Sequence, residues 1–334
     1  VGFLFSEYTF ENGAKLPNLA NHLMRKIVLV IAGLYVVTLH LAHAQGCSDA
    51  GFCTMGAMKP DQPYNKKMQV RLRSMELSFY RGTTTLTPIV YVATADMNFS
   101  LTSKSTFQVK LPYQAITGRL ANTGGLGDIS LCYTRNLSSS DAFDVNISLG
   151  AKIPSNKSDK STNGFPLPMY YQTSLGTYDA IAGLSLINRK WLFATGIQVP
   201  LNENNNQFLW GRWAGSSEDP SYIERYSKAN LLKRGTDVML RAERNFRLSR
   251  FNMSFGLLPI YRITRDKIVE GNGTITRSNE AQGLALSGIM TLGYSFNVRT
   301  GIKLLVGHKI VQRKVNPDGL TRELVTSVTY FYRF

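Results

Sequence analysis

Few side chains in this sequence could do chemistry. Histidine is the usual base for a serine or cysteine nucleophile, and past residue 44 only His308 is present. It alternates with Ile302, Leu304, Val306 and Ile310, so a period of two puts it on an apolar face. Asp128 and Asp179 could act as paired acids if folding brought them together, but nothing in their spacing requires it. Cys47 and Cys53 flank Gly51, with Met55 and Met58 just beyond. In an oxidising compartment such a pair forms a local disulfide; thiolate and thioether ligands together would instead suit Cu(I). Cys132 is expected unpaired on a strand.

The larger set of polar candidates is electrostatic. Glu76, Asp96, Lys110, Asp128, Lys152, Asp179, Arg241, Glu243, Arg262, Lys303, Lys309 and Arg333 each take the polar place in an alternating run. If those runs line a bore, these groups either pair and stiffen the wall or set the charge selectivity of a polar path. Lys110, Asp128, Lys152, Asp179, Arg241, Glu243, Arg262 and Lys303 are the expected selectivity residues. Basic residues outnumber acidic ones in the larger set, which points to a mild preference for anions.

Strands must position these groups. In 143–153, Phe143, Val145, Ile147, Leu149, Ala151 and Ile153 share one face, and Asp144, Asn146, Ser148, Gly150 and Lys152 the other. Segments 251–263 and 284–298 repeat the pattern. The spacing predicts strands over 69–81, 88–101, 104–113, 127–137, 143–154, 178–187, 191–200, 236–247, 251–264, 284–297, 300–312 and 322–334. Connections alternate between short and long down the chain, the one near 82–87 alone being short where a long one is due. This is the asymmetry of an up-and-down barrel with tight periplasmic turns and long external loops. The expected fold is all-β: a transmembrane antiparallel up-and-down β-barrel of about twelve strands over 68–334. In a β-sandwich, the rival, strands tend to be nearer five or six residues and loops need not alternate in length.

The flanks fit export. Met24-Arg25-Lys26, the apolar run from Ile27 to Val37 and Ala42-His43-Ala44 read as a signal peptide over 24–44, cut before Gln45. The apolar run is shorter than the ~20 residues of a spanning helix. Residues 1–23 read as an upstream extension of the reading frame, and 45–67 as a plug or a periplasmic tail. The run Val328-Thr329-Tyr330-Phe331-Tyr332-Arg333-Phe334 reads as a closing strand that would engage the barrel-assembly machinery. The net charge of +16 is spread along the chain without a nucleic-acid-binding motif. The expected partners are therefore outer-membrane lipid and a small solute, not nucleic acid.

Leu111-Pro112-Tyr113, Gly125-Leu126-Gly127-Asp128, Leu149-Gly150-Ala151-Lys152-Ile153-Pro154, Leu167-Pro168, Gln172 and Leu175-Gly176 carry a family resemblance. Over 104–200 the chain resembles the outer-membrane proteins associated with phenol meta-pathway degradation, distant relatives of the long-chain fatty acid transporters. It departs from their pattern at Ser155-Asn156. The resemblance implies a multi-pass, porin-like barrel in the outer membrane of a Gram-negative bacterium. The expected function is passive uptake of small solutes, hydrophobic or anionic, with no cofactor and no metal. A structural or interaction barrel is the alternative, with Trp210, Trp213 and Tyr222 on a contact loop. A hydrolase is disfavoured: where outer-membrane phospholipases carry serine two residues after such a histidine, this chain has Ile310.

Overall fold

The computed structural model describes residues 55–59 and 71–334. The expected signal segment, the residues before it, Cys47, Cys53 and most of 45–67 lie outside the described residues.

A sheet with one apolar and one polar face removes its exposed edges by closing on itself. Twelve long strands do so here: β1 (Arg71–Thr83), β2 (Ile89–Thr102), β3 (Ser105–Thr117), β4 (Ile129–Ser139), β5 (Asp144–Ile153), β6 (Asp179–Ile187), β7 (Trp191–Pro200), β8 (Asp237–Leu248), β9 (Phe251–Arg262), β10 (Gly283–Ser295), β11 (Thr300–Val311) and β12 (Leu324–Arg333). Each pairs antiparallel with its successor. β12 returns to β1, with Ser74 opposite Arg333 and Thr83 opposite Leu324.

The expected strands coincide with these to within two residues, except at the end of β3. That strand continues to Thr117 and pairs with a short strand, Asn122–Leu126. Pro112 has no N–H to give to the ladder. The facing chain bulges beside it. Pairing passes from Tyr113–Leu126 to Lys110–Ser130, and Gly127 N–H donates to Pro112 O at 2.8 Å. The missing donor thus falls where the ladder is already interrupted.

The connections around 103–104, 140–143, 188–190, 249–250 and 296–299 are tight and share one end of the barrel. The other end carries 84–88, 118–128, 154–178, 201–236, 263–282 and 312–323. Outward residues form an apolar belt, with Leu240, Leu257, Leu304 and Val328 among its exposed members. Exposed Trp191, Phe193, Phe246, Phe251, Phe296 and Phe334 ring the tight-turn end, and Tyr91, Tyr113, Tyr178 and Tyr261 the long-loop end. Rings with a polar tip settle at the headgroup level. No helix among the described residues is long and apolar enough to span a bilayer. Twelve strands with an apolar outer belt give the chain the architecture of a multi-pass outer-membrane barrel.

Two packed layers occupy the interior. Met55, which precedes a single 3₁₀ turn (Gly56–Met58), and Met58, which ends it, pack against Cys132, Ile181, Ala194, Met239, Leu258 and Ile289. Above, the long loops fold inward over the mouth. Leu167, Tyr171, Phe208, Trp213, Tyr222 and Tyr226 cluster with Val90, Val92 and Ile116 of the wall. Thr87 Oγ1 lies 2.5 Å from Tyr222 Oη, which lies 2.9 Å from Tyr226 Oη. Trp213 and Tyr222, expected on a contact surface, are therefore core residues of this cap, and of the three only Trp210 is exposed.

Candidate functional site: a charged chamber in the barrel

Alternation along β1–β5 turns Tyr80, Thr94, Lys110, Gln114, Ser130 and Lys152 inward. From above, Met169 and 172–175 of one loop and 318–320 with Arg322 of another complete a chamber open to the mouth. The 3₁₀ turn at Gly56–Met58 packs lower in the bore: Gly56 N–H donates to Gln108 Oε1 at 2.8 Å.

Beside the chamber, Asp96 is a hub. It accepts from Gln108 Nε2 at 2.9 Å, Asn98 Nδ2 at 3.1 Å and Lys59 Nζ at 3.1 Å, with Lys110 Nζ at 3.7 Å. Lys59 also reaches Glu76 at 3.0 Å, and Lys303 approaches the same carboxylate at 3.9 Å. In the wall, Asp128 accepts from Ser174 Oγ at 2.5 Å and Leu175 N at 3.1 Å, with Lys152 Nζ at 3.9 Å. Arg241 pairs with Glu243, two residues along β8, at 2.6 Å. Asp179 is held by Arg234 and Gln198 and stands opposite Lys152 in the β5–β6 ladder.

Under the cap lies a denser network. Fully buried Arg262 binds Asp237 at 2.7 Å, Asp266 at 2.9 Å and Asp318 at 2.7 Å. Arg313 adds contacts to Asp237 at 3.4 Å and Asp318 at 3.8 Å. Two guanidiniums thus face three carboxylates, and the two loop carboxyls respond in opposite ways. Burial pushes Asp318 up, but Arg262, Arg313 and Arg234 outweigh it and hold it well below the ordinary carboxylate range. Burial pushes Asp266 up; Arg262 opposes this and the Asp318 charge adds to it, leaving Asp266 raised.

Of the remaining sequence candidates, Lys309 is buried, 4.0 Å from Glu323 and 2.9 Å from Gln312 Oε1. Arg333 lies over the Phe331 ring near the tight-turn end, at 4.7 Å. His308 is exposed on the outward face, as is Ile310. Met55 and Met58 are buried in apolar packing.

The segments that carry the family resemblance meet in space. Pro112, Asp128, Lys152, Gln172 and Leu175 all line the chamber. Sequence reasoning did not single out Tyr80, Thr94, Gln114 or Ser130, although each shares the inward period of a residue it did select. Asp318 and Arg322 lie in a connection without periodicity, so no local signal marks them.

No family model and no curated sequence matches the chain. Among solved structures, an outer membrane channel from Pseudomonas putida F1 superposes with a TM-score of 0.56 at 12% identity, over 82% of this chain and 99% of that one. The KdgM porin (TM-score 0.40, 6% identity, 78% and 99% covered) and the outer membrane phospholipase A from Escherichia coli (0.39, 8%, 80% and 99%) are more remote and bear on nothing further. At 12% identity the first likeness is one of fold: this chain has the architecture of an outer-membrane β-barrel.

Proposed function

We propose that the chain is an outer-membrane channel for passive uptake of small solutes, with a preference for anions, and that segment 45–67 is its plug. The observation that carries this reading is the charged, polar-lined space kept inside a barrel whose outside is apolar. A barrel serving only as a scaffold has no need to keep such a space, since apolar packing fills a bore at less electrostatic cost. The fold likeness to a protein described as a channel is consistent with it. The ion pairs from Lys59 to Asp96 and Glu76 would latch the plug. Resemblance to the phenol meta-pathway proteins adds hydrophobic aromatics to the candidate solutes; the lysines of the chamber favour anions.

A second reading, a closed interaction barrel without transport, draws on the packed cap over the mouth. Planar bilayers separate the two. The full chain is expected to give small or infrequent openings, and deletion of 47–62 to give larger steady ones. Equal current from both forms discards the plug, and no current from either discards the channel. Liposome swelling with sugars, organic anions and hydrophobic aromatics then ranks the solutes.

A further inference from the structure

We infer that the outer wall of the barrel binds the headgroup of an anionic phospholipid at the tight-turn end, with Arg244 as its anchor. Glu243 and Asn245, beside it in β8, are buried toward the bore, so alternation turns Arg244 outward. It stands opposite Trp191, the first residue of β7, and so lies at the level of the tight turns. Its guanidinium is 4.8 Å from the centre of the Trp191 ring and 5.7 Å from that of Phe246, both exposed on the outer face. Among the described residues its side chain makes no ion pair and no hydrogen bond. Stacking on rings occupies the flat faces of a guanidinium and leaves its N–H edge to grip an oxyanion with two bonds. A cation so placed at the edge of the hydrocarbon calls for a countercharge.

The wall next to Arg244 suits an acyl chain. The next outward row toward the membrane centre is Phe193, Ala242 and Leu257, paired in that order across β7, β8 and β9. All three are exposed. Ala242 is the small residue between two large ones, so a furrow leads from Arg244 into the apolar belt. The tight connections supply the field: Lys104, Arg189, Lys190, Arg250 and Arg299 are exposed there, and the one acid in these connections is Asp141. Short turns of outer-membrane barrels face the periplasm, and basic residues at a bilayer surface attract anionic headgroups. The chemistry recognised is therefore a phosphate ester with net negative charge that carries acyl chains. A free phosphate would meet the N–H edge of Arg244 and leave the furrow unused.

The test is native mass spectrometry of the refolded full chain in a neutral detergent, titrated with phosphatidylglycerol, phosphatidylcholine or inorganic phosphate. One phosphatidylglycerol is expected to bind about tenfold tighter than phosphatidylcholine, whose own choline offsets the phosphate charge that Arg244 would meet. Arg244→Gln, in protein that keeps its heat-dependent gel shift, should bring phosphatidylglycerol down to the level of phosphatidylcholine. Ala242→Phe keeps the charge but fills the furrow, and should weaken both phospholipids alike. Arg299→Gln removes one rim charge that lacks an aromatic neighbour, and should have a much smaller effect than Arg244→Gln. Equal losses from the two arginine variants would show a diffuse rim charge in place of a site and overturn the inference. Equal affinity for the two phospholipids overturns it as well, as does inorganic phosphate binding as tightly as phosphatidylglycerol. The headgroup comparison on the unaltered protein decides the matter even if Arg244→Gln does not fold.

Discussion

Arg262 shows how single residues hold the cap. A fully buried guanidinium is tolerable only with its countercharges in place, and losing one partner of such a pair typically costs roughly 3–5 kcal/mol. The three carboxylates are not equivalent. Asp318 is depressed, so its contribution is present above its unfolded pKa and is lost only as pH falls through its lower folded value. Asp266 is raised, so its protonation on acidification favours the folded cap. Mild acid should therefore leave the cap closed, and limited proteolysis of loops 201–236 and 263–282 should run at the same rate at neutral and mildly acidic pH. Asp318→Asn should speed cleavage at both and lower stability by roughly 3 kcal/mol. Asp266→Asn should cost only about 1 kcal/mol, because it removes the excess negative charge and keeps an acceptor for Gly235 N–H. Equal losses from the two variants would reject this asymmetry.

At the scale of elements, the 3₁₀ turn at Gly56–Met58 fits because the wall makes room for it. A Cβ on Gly183 of β6 would lie 3.0 Å from Met58 Sδ, and one on Gly150 of β5 3.0 Å from Met55 Cε. Gly56 has φ +46° and sits against Cys132, Ser148 and Thr134, so side chains are excluded on both sides of the contact. Gly183→Val should thus displace the turn without touching the Lys59 ion pairs directly. The expected bilayer current approaches that of the 47–62 deletion, with the barrel still folded by circular dichroism. Current like that of the unaltered protein would show that the turn does not control passage.

On the scale of the whole molecule, stability depends on an outer belt that dissolves in lipid. Leu257 is exposed near the middle of β9, where strand alternation directs it outward. Leu257→Arg should cost about 2–4 kcal/mol in denaturant unfolding from lipid vesicles, the penalty of a cation near the bilayer midplane. A cost near zero would mean that this face does not meet hydrocarbon. Closure of the barrel also creates pairs that neither partner could make alone. Glu76 of β1 reaches Lys303 of β11, and Asp237 of β8 meets Asp318 beyond β11 through their shared Arg262.

Strand positions, the inward and outward faces and the short–long rhythm of the loops were legible in the residues, because a period of two is a local property. The sequence pattern ends β3 short, at 113, because its continuation to Thr117 pairs with a strand of only five residues, Asn122–Leu126. The inward direction of Lys110, Lys152 and Arg241 followed from the same period. Distant pairings did not: Glu76 meets Lys303 only once β12 closes on β1, because the two are far apart in sequence. The cap and the chamber belong wholly to the tertiary structure: Arg262, Asp318, Arg322 and the tyrosines over the mouth gain their surroundings from irregular loops, whose course is set by packing against one another and leaves no repeat in the sequence.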